Sequence, residues 1–582
     1  MAPSNSLVPE HTSEASRNDR DQAPHDEAEN DEQTPLLRGS SPSERKTDHG
    51  DEPKVRLSAF RVAAVAFSLW LLIFLQASNM SGITVIQGAI AADLEAYDDT
   101  AWFTTAYLIA MSSLAPLAGK LAAVFSPRSL IIPVAILVAI GTIVSAHALS
   151  FEAFVLGRVV TGMGGAGVLT LAIILMLDLT SKKTRGVALG MVNAGFSIGV
   201  SLGGIVYGAM LPAVGWRALF WIQSPVAVLA GTMLFLSLPN SFTKPSEFSV
   251  FRRLRRIDYL GAALLILTIV LFLFGLGGGA IKFLPLVLSP VALILFVLVE
   301  NFVAPDPVIP LQVLKSRAVL LSCVAQLGLM SARWTVLYYA PIFMLAVRGT
   351  PRAEAGAVLV PTNMAFASGG LIVGYLHIRR NGSFWLPCVV AIMLFSISMF
   401  ALSSVATSGF HLAALVASVI AGGVATGAAL NYTLAHMLHH SHDGTQYITT
   451  SLIGTFRGFG GAFGTSIGGG IFSRYLRSSL SEGFRLLDET DVLDPERRRL
   501  VSRLLGAPEL VWQGGLGAAD KDVAIQAYAG ATRGVWQAAA ILGIVVCVLQ
   551  AGTGWRGPEP AIVMEQAEAQ TNVLENEGTE EV

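Results

Sequence analysis

Polar and charged residues interrupt the long apolar segments of this 582-residue chain at only a few positions. An unpaired polar group is costly in hydrocarbon, so each of these side chains should face a cavity or a neighbouring helix. Together they could line a passage for a small solute. For each amide taken singly, a hydrogen bond between helices is the alternative role. The predicted solute-binding residues are Gln76, Asn79, Trp102, Tyr107, Asn193, Gln326, Asn363, Asn431 and Arg457.

The arginines within these segments indicate which chemistry the passage could support. Arg333 and Arg457 would favour a ligand that carries a carboxylate, because a guanidinium group binds that anion through charge-assisted hydrogen bonds. Arg158 is a functional candidate by default, since a charge at membrane depth is expensive. The alternative is an arginine near the membrane face whose head group reaches out to water.

Acidic residues are missing from the middle of every predicted span. Proton coupling ordinarily uses a carboxylate whose pKa the site can shift across the working pH. The nearest acids are Asp178 and Glu300, both close to the predicted cytoplasmic face. We therefore expect an acid at the membrane edge, a histidine such as His436, or a mechanism without ion coupling to replace the usual carboxylate.

The composition predicts an all-α membrane protein. The chain is 53% hydrophobic and 14% charged, whereas soluble domains carry about 25% charged residues. Its three cysteines lie within apolar segments, so neither a disulfide framework nor a metal site is expected. No phosphate-binding glycine loop and no nucleic-acid-binding face is found. We predict no enzyme activity, no cofactor and no nucleic-acid partner; the expected partners are a small-molecule substrate and the lipid bilayer.

Segments of about 20 apolar residues are long enough to cross a bilayer, and about fourteen such spans are predicted. Alternate loops carry basic residues such as Lys120, Lys182 and Arg252, whereas the first opposite loop carries acids such as Asp93. This asymmetry predicts that both termini are cytoplasmic. The predicted spans are 61–86, 101–121, 129–147, 153–177, 186–210, 216–238, 258–277, 283–303, 318–345, 355–377, 384–405, 409–437, 447–475 and 533–552.

The spans and the polar ends of the chain predict five regions. The two tails are too polar to bury a core and are expected to be disordered. The regions are 1–56, a cytoplasmic tail; 57–238, an N-terminal six-helix bundle; 239–303, a linker with two extra spans; 304–552, a C-terminal six-helix bundle with a long non-cytoplasmic loop at 476–531; and 553–582, an acidic tail.

Glycines recur along RGVALGMVNAGFSIGVSLGGIVYG, where small residues four apart let two helices approach closely. Helix packing alone is one interpretation. The spacing also resembles the fifth-span motif of the major facilitator drug:proton antiporters, with Val200 where that motif has proline. The motif glycines are Gly186, Gly195, Gly199, Gly203 and Gly204.

The segment LGRVVTGMGGAGV resembles the fourth-span motif of the same family, in which an intramembrane arginine, here Arg158, is tied to proton transfer. The resemblance extends over roughly residues 60–475. It implies a major facilitator fold, with two six-helix bundles plus two additional spans, that transports solutes by alternating access.

One motif of that family is incomplete. In the loop GKLAAVFSPR, Ala123 replaces the usual aspartate and Arg128 alone remains of the basic set. In the family this loop forms a cytoplasmic latch with an acid at the end of the fourth span. The resemblance implies that Asp178 could still be that acid, with Arg128 or Arg185 as its partner.

The segment DEQTPLL places Glu32 just before Leu36 and Leu37, which matches the acidic dileucine pattern that sorting adaptors bind. It favours a vacuolar or lysosome-like membrane and a similarity to fungal vacuolar amino-acid permeases. Transport of amino acids across the vacuolar membrane is therefore the first hypothesis. Efflux of drugs or toxic metabolites across the plasma membrane is the second, and a non-transporting sensor on the same fold is the third.

Overall fold

The computed structural model describes residues 58–179, 185–239, 257–304, 307–309, 311–376, 384–409, 411–440, 446–513 and 515–554. These residues form helices joined by turns, with no strand among them. The dileucine residues Glu32, Leu36 and Leu37, the tail 1–56 and nearly all of the tail 553–582 lie outside this range.

The chain up to Ser237 forms six helices. Two further helices form a hairpin, and one short helix follows the hairpin. The first six are α1 Ala59–Ser81, α2 Ile83–Asp93, α3 Ala101–Phe125, α4 Pro127–Ala146, α5 Phe151–Leu179 and α6 Arg185–Ser237, with a 3₁₀ turn at Tyr97–Asp99. The next three are α7 Tyr259–Leu276, α8 Phe283–Phe302 and α9 Leu311–Leu314.

The rest of the described chain contains nine helices and one π-helical turn, Met344–Arg348. The helices are α10 Arg317–Phe343, α11 Arg352–Ala357, α12 Leu359–Leu376, α13 Trp385–Val405, α14 Leu412–His439, α15 Gln446–Leu487, α16 Pro495–Gly506, α17 Leu510–Gln513 and α18 Ala518–Ala551.

Twelve helices of the described chain are long and apolar enough to cross a membrane. One of them, within α6, runs over Met191–Ser237 and bends at Gly215, whose φ of 76° is left-handed and favours glycine. Its 47 residues span about 70 Å at 1.5 Å per residue, twice the thickness of a bilayer core. Helix α15 is not among the twelve, because glycine and polar residues lower its hydropathy. The predicted count of about fourteen is therefore not confirmed.

Among the four buried apolar clusters of the described helices, two form the cores of the separate halves. One joins α1, α4, α5 and α6, and the other joins α10 to the C-terminal helices. Helices α3 and α15 connect these two groups: Ser112 Oγ donates to Gly458 O over 2.7 Å, and the hydroxyls of Thr105 and Thr465 are 3.1 Å apart. Close packing of small residues is what allows these two helices to approach.

Helix α8 has an outer face of large apolar side chains, with Phe283 74% exposed and Ile294 61% exposed. An unpartnered apolar face of this extent requires hydrocarbon around it. The partner helix α7 contacts the C-terminal half, since Ser466 Oγ of α15 donates to Leu273 O over 3.0 Å. The hairpin of extra helices therefore lies between lipid and the junction of the two halves.

Residues 476–531, predicted as a loop, contain helices in the structure. Helix α15 continues to Leu487, and α16 packs over the 3₁₀ turn between α2 and α3. There Arg477 Nη2 lies 2.5 Å from Asp98 Oδ1, and Ser502 Oγ donates to Asp98 Oδ2 over 3.2 Å. Hydrogen bonds to Asp488 and Asp520 raise the pKa of the Arg497 guanidinium. The segment forms a cap over the end of the molecule that is predicted to be non-cytoplasmic.

Candidate functional site

The Arg158 side chain is completely buried, about 10 Å along α5 from Phe151. Its Nε donates to Phe103 O over 2.8 Å, and its two terminal nitrogens donate to Asn79 Oδ1 over 2.8 Å and to Asn79 O over 3.1 Å. The guanidinium also lies 4.6 Å from the ring centre of Tyr107. No carboxylate pairs with it among the described residues, so backbone and amide oxygens and the face of an aromatic ring hold the charge.

A chain of amides extends from Asn79 toward α6. Asn79 Nδ2 donates to Leu75 O over 3.1 Å and to the Gln223 side-chain oxygen. Gln223 Nε2 in turn donates to Tyr207 OH over 2.8 Å. Because these groups are buried and linked, movement of α6 against α1 would change the hydrogen bonding of Arg158.

The motif glycines bring α6 against α1 beside this network. A Cβ on Gly199 would lie 2.6 Å from Ala77 Cβ, and one on Gly203 would lie 2.7 Å from Ser78 Cα. Gly204 faces the other way, and its added Cβ would lie 2.9 Å from Gly356 Cα. A Cβ on Gly195 would contact Trp70 at 3.2 Å.

The predicted residues Gln76 and Tyr107 belong to the same buried cluster. Tyr107 OH donates to Gln76 O over 3.1 Å, and Gln76 Nε2 contacts Met111 Sδ at 3.0 Å. Gln76 Oε1 is buried without a hydrogen-bond partner. An acceptor of this kind is available to a solute that donates a hydrogen bond.

A second cluster lies in the C-terminal half. Arg333 Nη2 donates to Asn363 Oδ1 over 2.7 Å, and its guanidinium lies 4.0 Å from the ring centre of Phe366. The positive charge of Arg457 acts on Arg333. Asn431 Nδ2 donates to Gly370 O over 2.7 Å, which is the interhelical role considered for amides. Arg333 is 7% exposed, and no carboxylate of the described chain pairs with either arginine.

Three other predicted residues lie elsewhere. Asn193 is exposed on α6, outside the buried network. Gln326 is buried, and its Oε1 has no hydrogen-bond partner. Trp102 packs on Phe274 with ring centres 5.6 Å apart and lines a cavity beneath the cap. That cavity holds about 30 Å³, about one water molecule.

The predicted latch is described only in part. Arg128 Nε donates to Phe235 O over 3.4 Å, and the guanidinium lies 4.5 Å from the Phe235 ring centre. The side chains of Asp178 and Arg185 lie outside the described residues, as do the surroundings of the motif residue Gly186. The pairing of Asp178 with Arg128 or Arg185 therefore stays a prediction.

The structure also contains polar contacts of residues that the sequence did not indicate. Tyr207 follows Gly203 by one helical turn, so it lies on the same face of α6; this periodicity could have identified it. Tyr338 OH donates to Gln87 Oε1 over 2.8 Å and so connects the two halves. Glu509 of the cap pairs with Arg352 at 3.1 Å, a contact between distant segments that no local pattern encodes.

The model of the Major Facilitator Superfamily matches residues 69–465. Efflux pump dotC of Dothistroma septosporum is 32% identical to this chain over 355 residues. The match covers 58% of this chain and 58% of the length of that relative. Multidrug resistance protein fnx1 of Schizosaccharomyces pombe is 26% identical over 452 residues, which cover 75% of this chain and 82% of that protein.

Among solved structures, the chain is similar to a bacterial homolog of the human lysosomal transporter Spinster in an inward-facing, unoccupied conformation. The TM-score is 0.60 at 15% sequence identity, and the match covers 85% of this chain and 97% of that one. At this identity the similarity shows the fold alone.

Proposed function

This chain belongs to the major facilitator superfamily, and we propose that it exports a small organic solute with an anionic group by alternating access. The observation that carries the proposal is Arg333, a buried guanidinium of α10 with no carboxylate partner among the described residues. Arg457 lies on α15, which packs against α10 where Gly460 meets Met330. Of the two relatives reported above, one is named as an efflux pump and the other as a multidrug resistance protein, which favours export over uptake.

The anionic preference follows from charge balance. Two guanidinium groups that act on each other in a low-dielectric environment repel. A bound carboxylate removes this repulsion and accepts hydrogen bonds from donors that Asn363 leaves unused. Phe366, against Arg333, offers an apolar surface for the organic part of the solute.

Amino-acid transport across the vacuolar membrane is the second candidate. The dileucine pattern of Glu32, Leu36 and Leu37 favours it, with a sorting adaptor as the partner. An amino acid also carries a carboxylate. Efflux has the better support, because the similar proteins reported above are named as efflux pumps or resistance proteins.

We also propose the fourteen-span arrangement with both termini cytoplasmic. Counting α6 as two helices on either side of Gly215 and adding α15 raises the twelve apolar helices by two. The solute would bind between the halves, with Gln76 and Asn79 on one side and Arg333 and Arg457 on the other.

Proteoliposomes test this function with carboxyfluorescein, ethidium and a mixture of amino acids, each with and without a proton gradient. We expect transport of carboxyfluorescein or of amino acids, and its loss in Arg333→Gln and Arg457→Gln. The matched control is Arg317→Gln, the same change at an exposed position at the start of α10. Transport of ethidium alone, or anion transport that both arginine variants preserve, would refute the anionic preference.

A further inference from the structure

The cap is joined to the C-terminal half by the chain itself and by further contacts. It connects the end of α15 to the start of α18. Arg352 of α11 pairs with Glu509 of the cap at 3.1 Å, and Trp512 Nε1 of the cap donates to Ala346 O over 2.9 Å. Because these contacts lie on different sides of the cap, it should move as one body with the C-terminal half.

The cap meets the N-terminal half at the 3₁₀ turn between α2 and α3. Arg477 Nη2 lies 2.5 Å from Asp98 Oδ1, and Ser502 Oγ donates to Asp98 Oδ2 over 3.2 Å. A Cβ on Gly506 would lie 2.6 Å from Tyr97 Cα, so α16 lies directly against the backbone of the turn. The Asp98 side chain is 49% exposed, and an exposed ion pair contributes little to stability. This contact can therefore break and form again.

The cap closes over the small cavity at the junction of the two halves. The N-terminal half, the C-terminal half and the cap all contribute to its lining, which includes Gln87, Trp102, Tyr338, Phe472, Leu505 and Pro508. In its wall Tyr338 OH of α10 donates to Gln87 Oε1 of α2 over 2.8 Å. A Cβ on Gly88 would lie 2.6 Å from Glu509 Cδ, so the cap also packs on α2. A solute that leaves between the halves at this end must displace the cap.

We propose that the cap is the outer gate of the transporter and that Asp98 is the residue of the N-terminal half onto which it closes. In this structure the gate is shut, because Arg477 and Ser502 hold Asp98 while Tyr338 holds Gln87. Release of a solute requires the 3₁₀ turn to separate from the cap, which stays with the C-terminal half. The same contacts form again when the solute has left. This inference rests on the proposed transport function.

A reversible cross-link across the gate tests the proposal. Asp98→Cys and Ser502→Cys are combined and bridged with a short bis-methanethiosulfonate reagent; the three native cysteines are buried. Carboxyfluorescein or amino-acid transport in proteoliposomes should be lost on bridging and return to its unbridged level on reduction. The matched control combines Glu482→Cys and Arg485→Cys, an exposed pair three residues apart on α15, whose bridge joins no second element and should leave transport unchanged. Undiminished transport by the bridged Asp98→Cys/Ser502→Cys protein overturns the proposal.

Cysteine labelling beneath the cap gives a readout that does not depend on transport. Ala101→Cys places a thiol in the lining of the cavity, where a membrane-impermeant maleimide reaches it when the gate opens. Adding Arg477→Gln and Ser502→Ala should raise the labelling rate about two- to fivefold, the effect expected for loss of an exposed ion pair, whereas Arg485→Gln should not change it. If the wild type transports no tested solute but labelling responds in this way, the transport function fails while the gate stands. Labelling that is unchanged by loss of both contacts overturns the gate.

Discussion

Gly203→Ala is the change whose effect the structure defines best. The added Cβ would lie 2.7 Å from Ser78 Cα and would also overlap Ser81 Oγ, whereas carbon atoms pack at about 3.5–4.0 Å. The serine hydroxyl can rotate away, but the Cα belongs to the backbone of α1. Helices α1 and α6 must therefore separate by about 1 Å, and overpacking of this kind costs about 1–3 kcal/mol.

The separation also reaches the functional network. Ser78 precedes Asn79, whose amide holds Arg158 and Gln223. We expect Gly203→Ala to lower the midpoint of thermal unfolding in detergent and to reduce transport by the protein that remains folded. The assay pairs a thermal-shift measurement with counterflow, normalised to folded protein.

Gly374→Ala provides the matched control for this prediction. Gly374 is exposed on α12, and a Cβ there meets no atom within 4 Å. Alanine is the better helix former by roughly 0.5–1 kcal/mol, so this variant should be neutral or slightly stabilised. If Gly203→Ala behaves like Gly374→Ala in both assays, the close approach of α1 and α6 is not what this glycine provides.

Two more predictions concern charged groups. Arg158→Lys should abolish solute transport in proteoliposomes while the protein still folds. A single ammonium cannot reproduce the forked contacts of the guanidinium to Asn79 and Phe103. Undiminished transport by this variant would refute the role of Arg158. Burial, and then the adjacent Asp98 charge, raise the pKa of Asp99 above 3.8 in the folded protein. The charged form of Asp99 therefore destabilises the fold, and the free energy of unfolding falls as pH rises through that raised pKa. Asp99→Asn should therefore raise thermal stability at about pH 7 and have little effect at about pH 4, relative to wild type; an equal gain at both pH values would contradict this interpretation.

The sequence was informative where a residue is unusual for its surroundings. Arg158, Asn79 and Gln76 are polar at membrane depth, and the structure brings all three into one buried network. The apolar segments identified most helices for the same reason, because hydrocarbon excludes unpaired polar groups. Asn193 shows the limit: depth along a helix does not determine the direction in which a side chain faces, and this amide is exposed.

The helices within the predicted non-cytoplasmic loop were not located from the sequence, because their signal is amphipathic and not apolar. Leu476, Leu480 and Phe484 are completely buried and four residues apart, which is the period of one helix face. Charged residues between them lower the average hydropathy, so the segment resembled a loop. The contacts that fix the cap, such as Arg477 with Asp98, join distant parts of the chain and have no local pattern.

The distribution of charge bears on the kind of solute that the helices would accept. Arg158, Arg333 and Arg457 lie at membrane depth without a carboxylate partner among the described residues, whereas the buried acids Asp258 and Glu300 lie at the end of the added hairpin. A passage with positive charge favours an anion and opposes a proton in the same place.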